Sequence, residues 1–569
     1  MEKRKMRKMK LLGVGLLVCT AAAFAMALQT DAHSTRFVRN SAEAEEPAEV
    51  AIGERLFLET RFAQYYFAHS DGNPNAEPLP GGGDPVMATL STPTGTIPGP
   101  FAGMTMNCRQ CHLVDEASTT KGGGFRTYAD FAARSPLPAR EDGLTVTPRN
   151  SPTMLNLVLN GGPDELYHFD GEFPSLEALV KGTFTGRNFG WLPSENATAI
   201  HHIALIIRGD DGQGELAQEF GGSYAQVLAG KSTDPNLVLP PEYRIDVTTA
   251  TDEEILDALA KLVAAYGDSL LFARNSRGEF TASPYDVFLK KNHLPRKPLP
   301  SESPLEYSRR LRRTLERLEH PRFVTPADGK FELSDQKFVF GSTELAGLKV
   351  FLAEPADSLP EVSAVTQGGT GNCLACHAAP NFTDFKLHNT GVNQKEYDAV
   401  HGEGAFSHLS IPTLAERNTN YDAYLPATPT HPSAQGPFRR PPDATQPTFT
   451  DLGAWNSYLN PDFGVDPRKI ELAMGLGIVP TRLKSQALSQ AIGRFKTPGL
   501  RDLGDSAPYF HDGNTTNLED IVRFYKEFSG KARRGEVRNA DPQLRRIVLG
   551  NDDLKVLTAF LKSLKEDYN

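Results

Sequence analysis

Two short stretches decide the reading of this chain: NCRQCH at 107–112 and NCLACH at 372–377. Each places Cys, two residues, Cys and then His at once, giving Cys108, Cys111 and His112 in the first and Cys373, Cys376 and His377 in the second. The chain has five cysteines, and the fifth, Cys19, sits in an apolar N-terminal stretch. Four cysteines in an exported protein would ordinarily suggest disulfides. Here both pairs keep a two-residue gap closed by His, the pattern of covalent c-type haem attachment. Two thiols add to the two vinyl groups, and the adjacent imidazole reaches the iron from one face. A zinc site would need ligands to converge from motifs 265 residues apart, and it leaves the repeated His unexplained. Two covalently bound c-type haems are the expectation.

Working outward, the N-terminus reads as an export signal. MEKRKMRKMK is basic, LLGVGLLVCTAAAFAMA is apolar, and Ala25-Met26-Ala27 supplies a small-residue cleavage site. The alternative is an uncleaved anchor over Leu11–Leu28, barely long enough to span a bilayer. Val18 is too bulky for lipoprotein processing at Cys19. The protein is therefore expected in the periplasm or secreted, with membrane contact only if the signal is retained. The whole chain carries a formal charge of −10, and without the first ten residues −15, so nucleic acid is not an expected partner. Hydrophobic residues at 39% suffice for sizeable cores, and 49 Gly and 42 Pro among 569 residues point to compact elements joined by long loops.

Helical periodicity marks EVAIGERLFLETRFA before the first motif, then FPSLEALVKGTF, DEEILDALAKLVAAYGDSLL, GSTELAGLKVFL before the second motif, NLEDIVRFYKEF and NDDLKVLTAFLKSL. Strand signals are sparse. The halves repeat one plan of amphipathic helix, loop and Cys-x-x-Cys-His. The expected fold is mainly α, with two cytochrome c-like haem domains packed side by side, long loops and little strand. The expected boundaries are a signal at 1–27, an N-terminal haem domain with an insertion at 28–292, a basic, Pro-rich linker or insertion at 293–340, and a C-terminal haem domain at 341–569. The arginines of SPLEYSRRLRRTLERLEH read as the solvated face of a helix. HHIALIIRGDDGQGELAQEF reads as an insertion that adds surface, and Tyr421–Asp466 as a long Pro-rich loop.

Further stretches carry a resemblance: IGERLFLETRF, TPRNSPTMLN, FDGEFPSLEALV, SPYDVFL, GLKVF, FTDFKLHNTG and, above all, FKTPGLRDLGDSAPYFHDGNTTNLEDIVRFY. With the two haem motifs they make the chain resemble the bacterial di-haem cytochrome c peroxidase and MauG superfamily across nearly its whole mature length. The resemblance implies two mainly helical haem domains with one calcium ion between the haems. One haem, on His112, would meet hydrogen peroxide or dioxygen, and the other, on His377, would relay electrons from a small cytochrome c or cupredoxin.

The resemblance also implies site residues. Leu113–Asn150 holds no His and no Met, so the first iron would keep an open position; His168, His201 or His202 are the alternative ligands from further along. Eight positions into the helix after HDG stands Tyr525, which would be the second ligand of the His377 haem, as in MauG, or else an ordinary buried tyrosine. The calcium ligands would be Asn150, Ser506 and Pro508, although Asn150 also suits a helix cap. His511 reads as structural or as a haem-propionate contact. Two departures stand out. HFDG has Phe169 where the family has Trp between the haems. TFTGRNFGWLP has no carboxylate where the family has an acid–base Glu. Arg187 and Trp191 are the catalytic candidates left there, with Phe189 beside them and Glu195 nearby. The leading reading is a peroxidase-type oxidoreductase. The alternatives are a MauG-like or rubber-oxygenase-like oxidation of a bulky substrate, and a non-catalytic di-haem electron carrier.

Overall fold

The apolar face of EVAIGERLF can be buried only against another helix, and it finds one late in the same half of the chain. In the computed structural model α1 (Ala48–Leu58) crosses the long helix Asp252–Ser269. The model describes residues 46–76, 83–87, 89–92, 95–98, 105–108, 111–112, 134–157, 166–331, 335–355, 368–504 and 506–566. The export signal, Cys19 and most of the loop after the first motif (113–133) lie outside the described residues.

The longer helices that follow are α2 (Leu176–Phe184), α3 (Asn196–Gly209), α4 (Asp252–Ser269), α5 (Pro284–Lys291), α6 (Pro304–Glu316), α7 (Ser342–Leu352), α8 (Val392–His401), α9 (Pro467–Ala473), α10 (Lys484–Ala491), α11 (Leu518–Arg533) and α12 (Asn551–Lys562). Among the described residues strand is limited to two antiparallel pairs, Thr89–Thr92 with Gly95–Pro98 and Leu387–His388 with Phe495–Lys496. The architecture is mainly helical. Local signals explain the helix starts. Ser175 accepts the Ala178 N–H at 3.1 Å, and Thr251 and Glu254 form a capping box that opens α4.

Pro47–Asn569 forms one unit containing three main hydrophobic cores. The first gathers α1, α2, α3 and α4. Ile203, Ile206 and Ile207 of α3 are essentially inaccessible within it, so one face of HHIALIIRG packs into this core while His201 and Leu205 stay exposed. Beneath it Arg55, fully buried, donates to Asp210 at 2.8 Å and lies 3.7 Å above the Tyr224 ring. The second core joins α5, α6, α7, α11 and α12. The segment 293–340, taken from its composition as a linker or insertion, is packed into this core through Leu294, Tyr307, Leu311, Leu315, Val324, Phe338 and Phe340. Its arginines stay on the outer side of α6, where Arg309, Arg310 and Arg312 pair with Glu354, Glu302 and Glu316. The third core, around Trp455 and Tyr458, lies between residues 387 and 492 apart from Leu166, and it turns the Pro-rich stretch into a packed body.

The helices before the two motifs are built alike. Gly53 of α1 lies so close to α4 that a Cβ there would sit 2.2 Å from the Leu262 carbonyl oxygen. At Gly347 of α7 it would sit 1.9 Å from that of Val556 in α12. Backbone cannot retreat as a side-chain tip can. Gly347→Ala should therefore lower stability by about 1–3 kcal/mol, read as a fall in Tm. Gly464→Ala, where a Cβ meets nothing within 4 Å, should leave Tm nearly unchanged.

A second stability determinant joins the cores. Arg501 makes a two-pronged bond with Asp286 at 3.0 Å for each arm, and it lies 3.9 Å from the carboxyl of fully buried Glu566. Burial outweighs that arginine, and Glu566 is pushed up from its ordinary range to about 8. The folded protein thus holds a proton that the unfolded chain releases near pH 4.5. This stabilisation is complete below that pH and is lost as pH rises toward 8. Chemical denaturation between pH 5 and pH 9 should show the loss, and Glu566→Gln should flatten the profile.

Candidate haem-binding sites

The two motifs form the same turn. The His112 N–H donates to the Cys108 carbonyl at 2.9 Å and the Cys111 N–H to the same oxygen at 3.1 Å; in the second motif the corresponding distances to the Cys373 carbonyl are 2.7 and 3.2 Å. Each turn hangs from the end of the glycine-bearing helix. Asn107 Nδ2 donates to Leu58 O at 2.8 Å below α1, and the Asn372 N–H donates to Ala353 O at 2.8 Å below α7.

Both imidazoles are held in one tautomer. His112 Nδ1 lies 2.9 Å from the Pro152 carbonyl and His377 Nδ1 lies 2.9 Å from that of Phe382. A carbonyl only accepts, so Nδ1 carries the hydrogen and Nε2 keeps its lone pair for a metal. Burial reinforces this by pushing His112 down to about 4 and His377 below its ordinary value. The four cysteines are free thiols, and burial raises all of them, Cys373 to about 12. Among the described residues the motifs do not converge on a shared metal cluster; the one group of three candidate ligands is Cys376, Asp384 and His388.

The residues fit a porphyrin. A single cavity reaches from Cys373, Cys376 and His377 to Pro152 and Phe169 in the first half, with apolar walls that include Phe351, Ile521 and Leu557. Tyr525, on α11, lines it near the two cysteine sulfurs, and burial holds its phenol well above the ordinary range. Phe510 and Phe524 pack edge-on around its ring. Buried His511 also lines the cavity, stacked on Phe495 with 3.5 Å between ring centroids, and its Nε2 has no hydrogen-bond partner. Asn150 Nδ2 lies 2.6 Å from Pro508 O and 3.2 Å from Phe510 O, while its own Oδ1 is buried without a partner. With the amide turned over, Oδ1 would join those carbonyls as a set of hard oxygen donors that suits calcium; Ser506 lines the same cavity.

The remaining candidates have the following partners. Arg187 binds Asp142 at 2.6 Å and also donates to the Pro138 and Leu144 carbonyls. Trp191 is fully buried and gives its indole N–H to Phe62 O at 3.0 Å. Neither lines the cavity. Phe189 is core, and Glu195 pairs with Arg140 at 2.6 Å. Of the alternative histidine ligands, His201 is exposed beside Asp252 and His202 is held by Arg61 O at 2.8 Å. His168 alone lines the cavity, with Nδ1 2.9 Å from Glu172.

Sequence reasoning missed a buried charge lattice around the cavity. Arg149 binds Asp451 at 2.5 Å and Asp170 at 2.9 Å, and Arg439 binds Glu172, the partner of His168. Burial would raise Asp170, but Arg149 and then Arg439 hold it well below the usual carboxylate range. His388 is clasped between Asp384 at 2.9 Å and Asp541 at 2.7 Å. Lys496, which lines the cavity, gives an ammonium hydrogen to Leu166 O at 2.7 Å, and burial pulls it down to about 7. The pairs that join distant segments, such as Arg149 with Asp451 and Arg439 with Glu172, leave no local sequence signal, although Arg149 and Lys496 both fall within the stretches that carried the resemblance.

No family model matches the chain. Among curated proteins it is similar to the cytochrome-c peroxidase IdrP2 of Denitromonas iodatirespirans, with 24% identity over 196 residues, 34% of this chain and 36% of that protein. It is also similar to the methylamine utilization protein MauG of Methylophilus methylotrophus, with 39% identity over 70 residues, 12% of this chain and 19% of that protein. The match to the first of these spans about a third of that relative's length. Solved structures similar to the chain include a MauG-like protein associated with microbial copper homeostasis, with 14% identity, a TM-score of 0.40 and coverage of 92% of this chain and 91% of that one. Another is the diheme peroxidase BthA from Burkholderia thailandensis E264, with 14% identity, a TM-score of 0.39 and coverage of 92% and 88%. These matches support a similarity to the bacterial di-haem cytochrome c peroxidase and MauG superfamily.

The lattice is open to test. Asp451→Ala leaves Arg149 buried with one carboxylate in place of two, and should cost about 3–5 kcal/mol in chemical denaturation. Asp451→Asn, which keeps the hydrogen-bond acceptor, should cost less.

Proposed function

We propose that the protein is an exported di-haem c-type oxidoreductase of the peroxidase type. The observation that carries this is the duplicated Cys-x-x-Cys-His turn, each with its imidazole Nδ1 committed to a carbonyl. One haem would be held by Cys108, Cys111 and His112 and the other by Cys373, Cys376 and His377, in two haem domains side by side, with calcium at Asn150 and the Ser506 and Pro508 carbonyls. When bound, the haems supply the redox chemistry, with hydrogen peroxide reduced on the His112 side and electrons entering on the His377 side from a small cytochrome c or cupredoxin.

The chain's own residues shape that chemistry. The carbonyls of Pro152 and Phe382 keep each proximal imidazole oriented and basic. Tyr525 offers a phenol oxygen on the His377 side, a harder donor than Met. Phe351 and Ile521 give that site apolar walls.

A second reading, MauG-like or oxygenase-like oxidation of a bulky substrate, is favoured by particular residues. Tyr525 lines the cavity, Glu195 and Arg187 are tied up in ion pairs, and TFTGRNFGWLP contains no carboxylate. Export to the periplasm rests on the N-terminal signal; no described helix is long and apolar enough to cross a membrane.

Electron paramagnetic resonance of the ferric holoprotein tests the assignment. Tyr525→Phe should move one low-spin signal and leave the other signals in place; if none moves, Tyr525 is not a ligand. Two low-spin haems inert to peroxide would identify a pure electron carrier. Product analysis after peroxide addition separates simple peroxide reduction from oxidation of a bulky substrate.

A further inference from the structure

The loop between α9 and α10, AMGLGIVPTRLK (473–484), carries the most exposed of the large apolar residues described. Ile478 is 75% accessible and Leu472, at the end of α9, is 47% accessible. A fixed scaffold anchors the loop that follows Leu472. Fully buried Glu471 accepts the Val479 N–H on its carboxylate at 2.9 Å and the Leu476 N–H on its carbonyl at 3.0 Å. The same carboxylate takes the Tyr458 hydroxyl at 2.8 Å and pairs with Lys484. Gly475 and Gly477, at φ +72° and +65°, make the turns that project Ile478 outward, while Leu476 and Val479 pack on the third core. Arg468, in α9, and Arg482, within the loop, are both exposed, in a chain whose net charge is −10.

We propose that this loop is a membrane contact: Ile478 and Leu472 enter the acyl boundary of an anionic bilayer while Arg468 and Arg482 lie among its headgroups. Two features favour a lipid surface over a protein. The apolar part is a protruding tip of two side chains, far short of the roughly 800 Å² that each partner of a stable protein interface buries. A bilayer asks only for a few inserted apolar groups flanked by cations. The local charge is also opposite to that of the protein as a whole, and so matches an anionic surface.

The experiment uses the exported holoprotein with vesicles of phosphatidylglycerol and phosphatidylcholine in equal parts, and with phosphatidylcholine alone. Co-sedimentation should favour the anionic vesicles and weaken with salt. Ile478→Ser and Arg482→Glu should each lower the partition coefficient about ten-fold, with haem absorption and Tm unchanged. A nitroxide on Ile478→Cys should lose contact with a water-soluble relaxant and gain contact with oxygen when anionic vesicles are added. Failure to bind, equal binding by wild type and Ile478→Ser, or unchanged nitroxide accessibility would overturn the proposal. So would a dimer in light scattering that Ile478→Ser abolishes, since the loop would then be covered by a second copy.

Discussion

A buried imidazole that must present a lone pair to a metal has to give its other nitrogen to an acceptor, and in this protein that acceptor is always backbone. Pro152 and Phe382 supply the carbonyls, five residues beyond His377 in one case and forty beyond His112 in the other. Meeting this requirement twice dictates much of the rest. The chain after each motif must curl back beneath its histidine, and the helix before each motif must end where the turn begins. Those helices must in turn be pinned, and the close crossings at Gly53 and Gly347 pin them.

The cavity between the halves is expensive to build. Lys496 lines it, and Arg149, Arg439, Asp170, Glu172 and Asp451 lie behind its walls, all buried or nearly so. Charges at such depth persist only when they are paired or hydrogen-bonded, and most of the pairs here bridge distant parts of the chain. The region around Trp455 contributes Arg439 and Asp451, so the third core clamps the segment that carries His168 and Phe169 from outside. A stretch dense in proline can do this because its loops wrap around buried aromatic residues, with fully buried Arg417 donating to the Tyr458 carbonyl at 2.8 Å in place of regular backbone ladders.

The surroundings of the catalytic candidates near the first motif could not be read from residue type. Arg187 and Trp191 stand where an arginine and an indole could act on a bound oxidant, yet both side chains spend their hydrogen bonds on neighbouring loops. Their place in the sequence said nothing of Asp142 or of the Phe62 carbonyl. Tyr525 differs in that its place eight residues into α11 is set by one uninterrupted helix, and a helix converts spacing directly into direction.

Sequence alone determined the features governed by local chemistry: the paired thiols with their adjacent histidines, the amphipathic helices with their caps, and the place of Tyr525 on α11. Tertiary structure decided which carbonyls hold the imidazoles, which buried charges meet, and which side chains of the basic segment at 293–340 and of the isoleucine-rich helix α3 pack into a core. The physical reason is range. Covalent spacing and helical periodicity act over a few residues, whereas burial and ion pairing depend on neighbours such as Asp451 beside Arg149, 302 positions away in the chain.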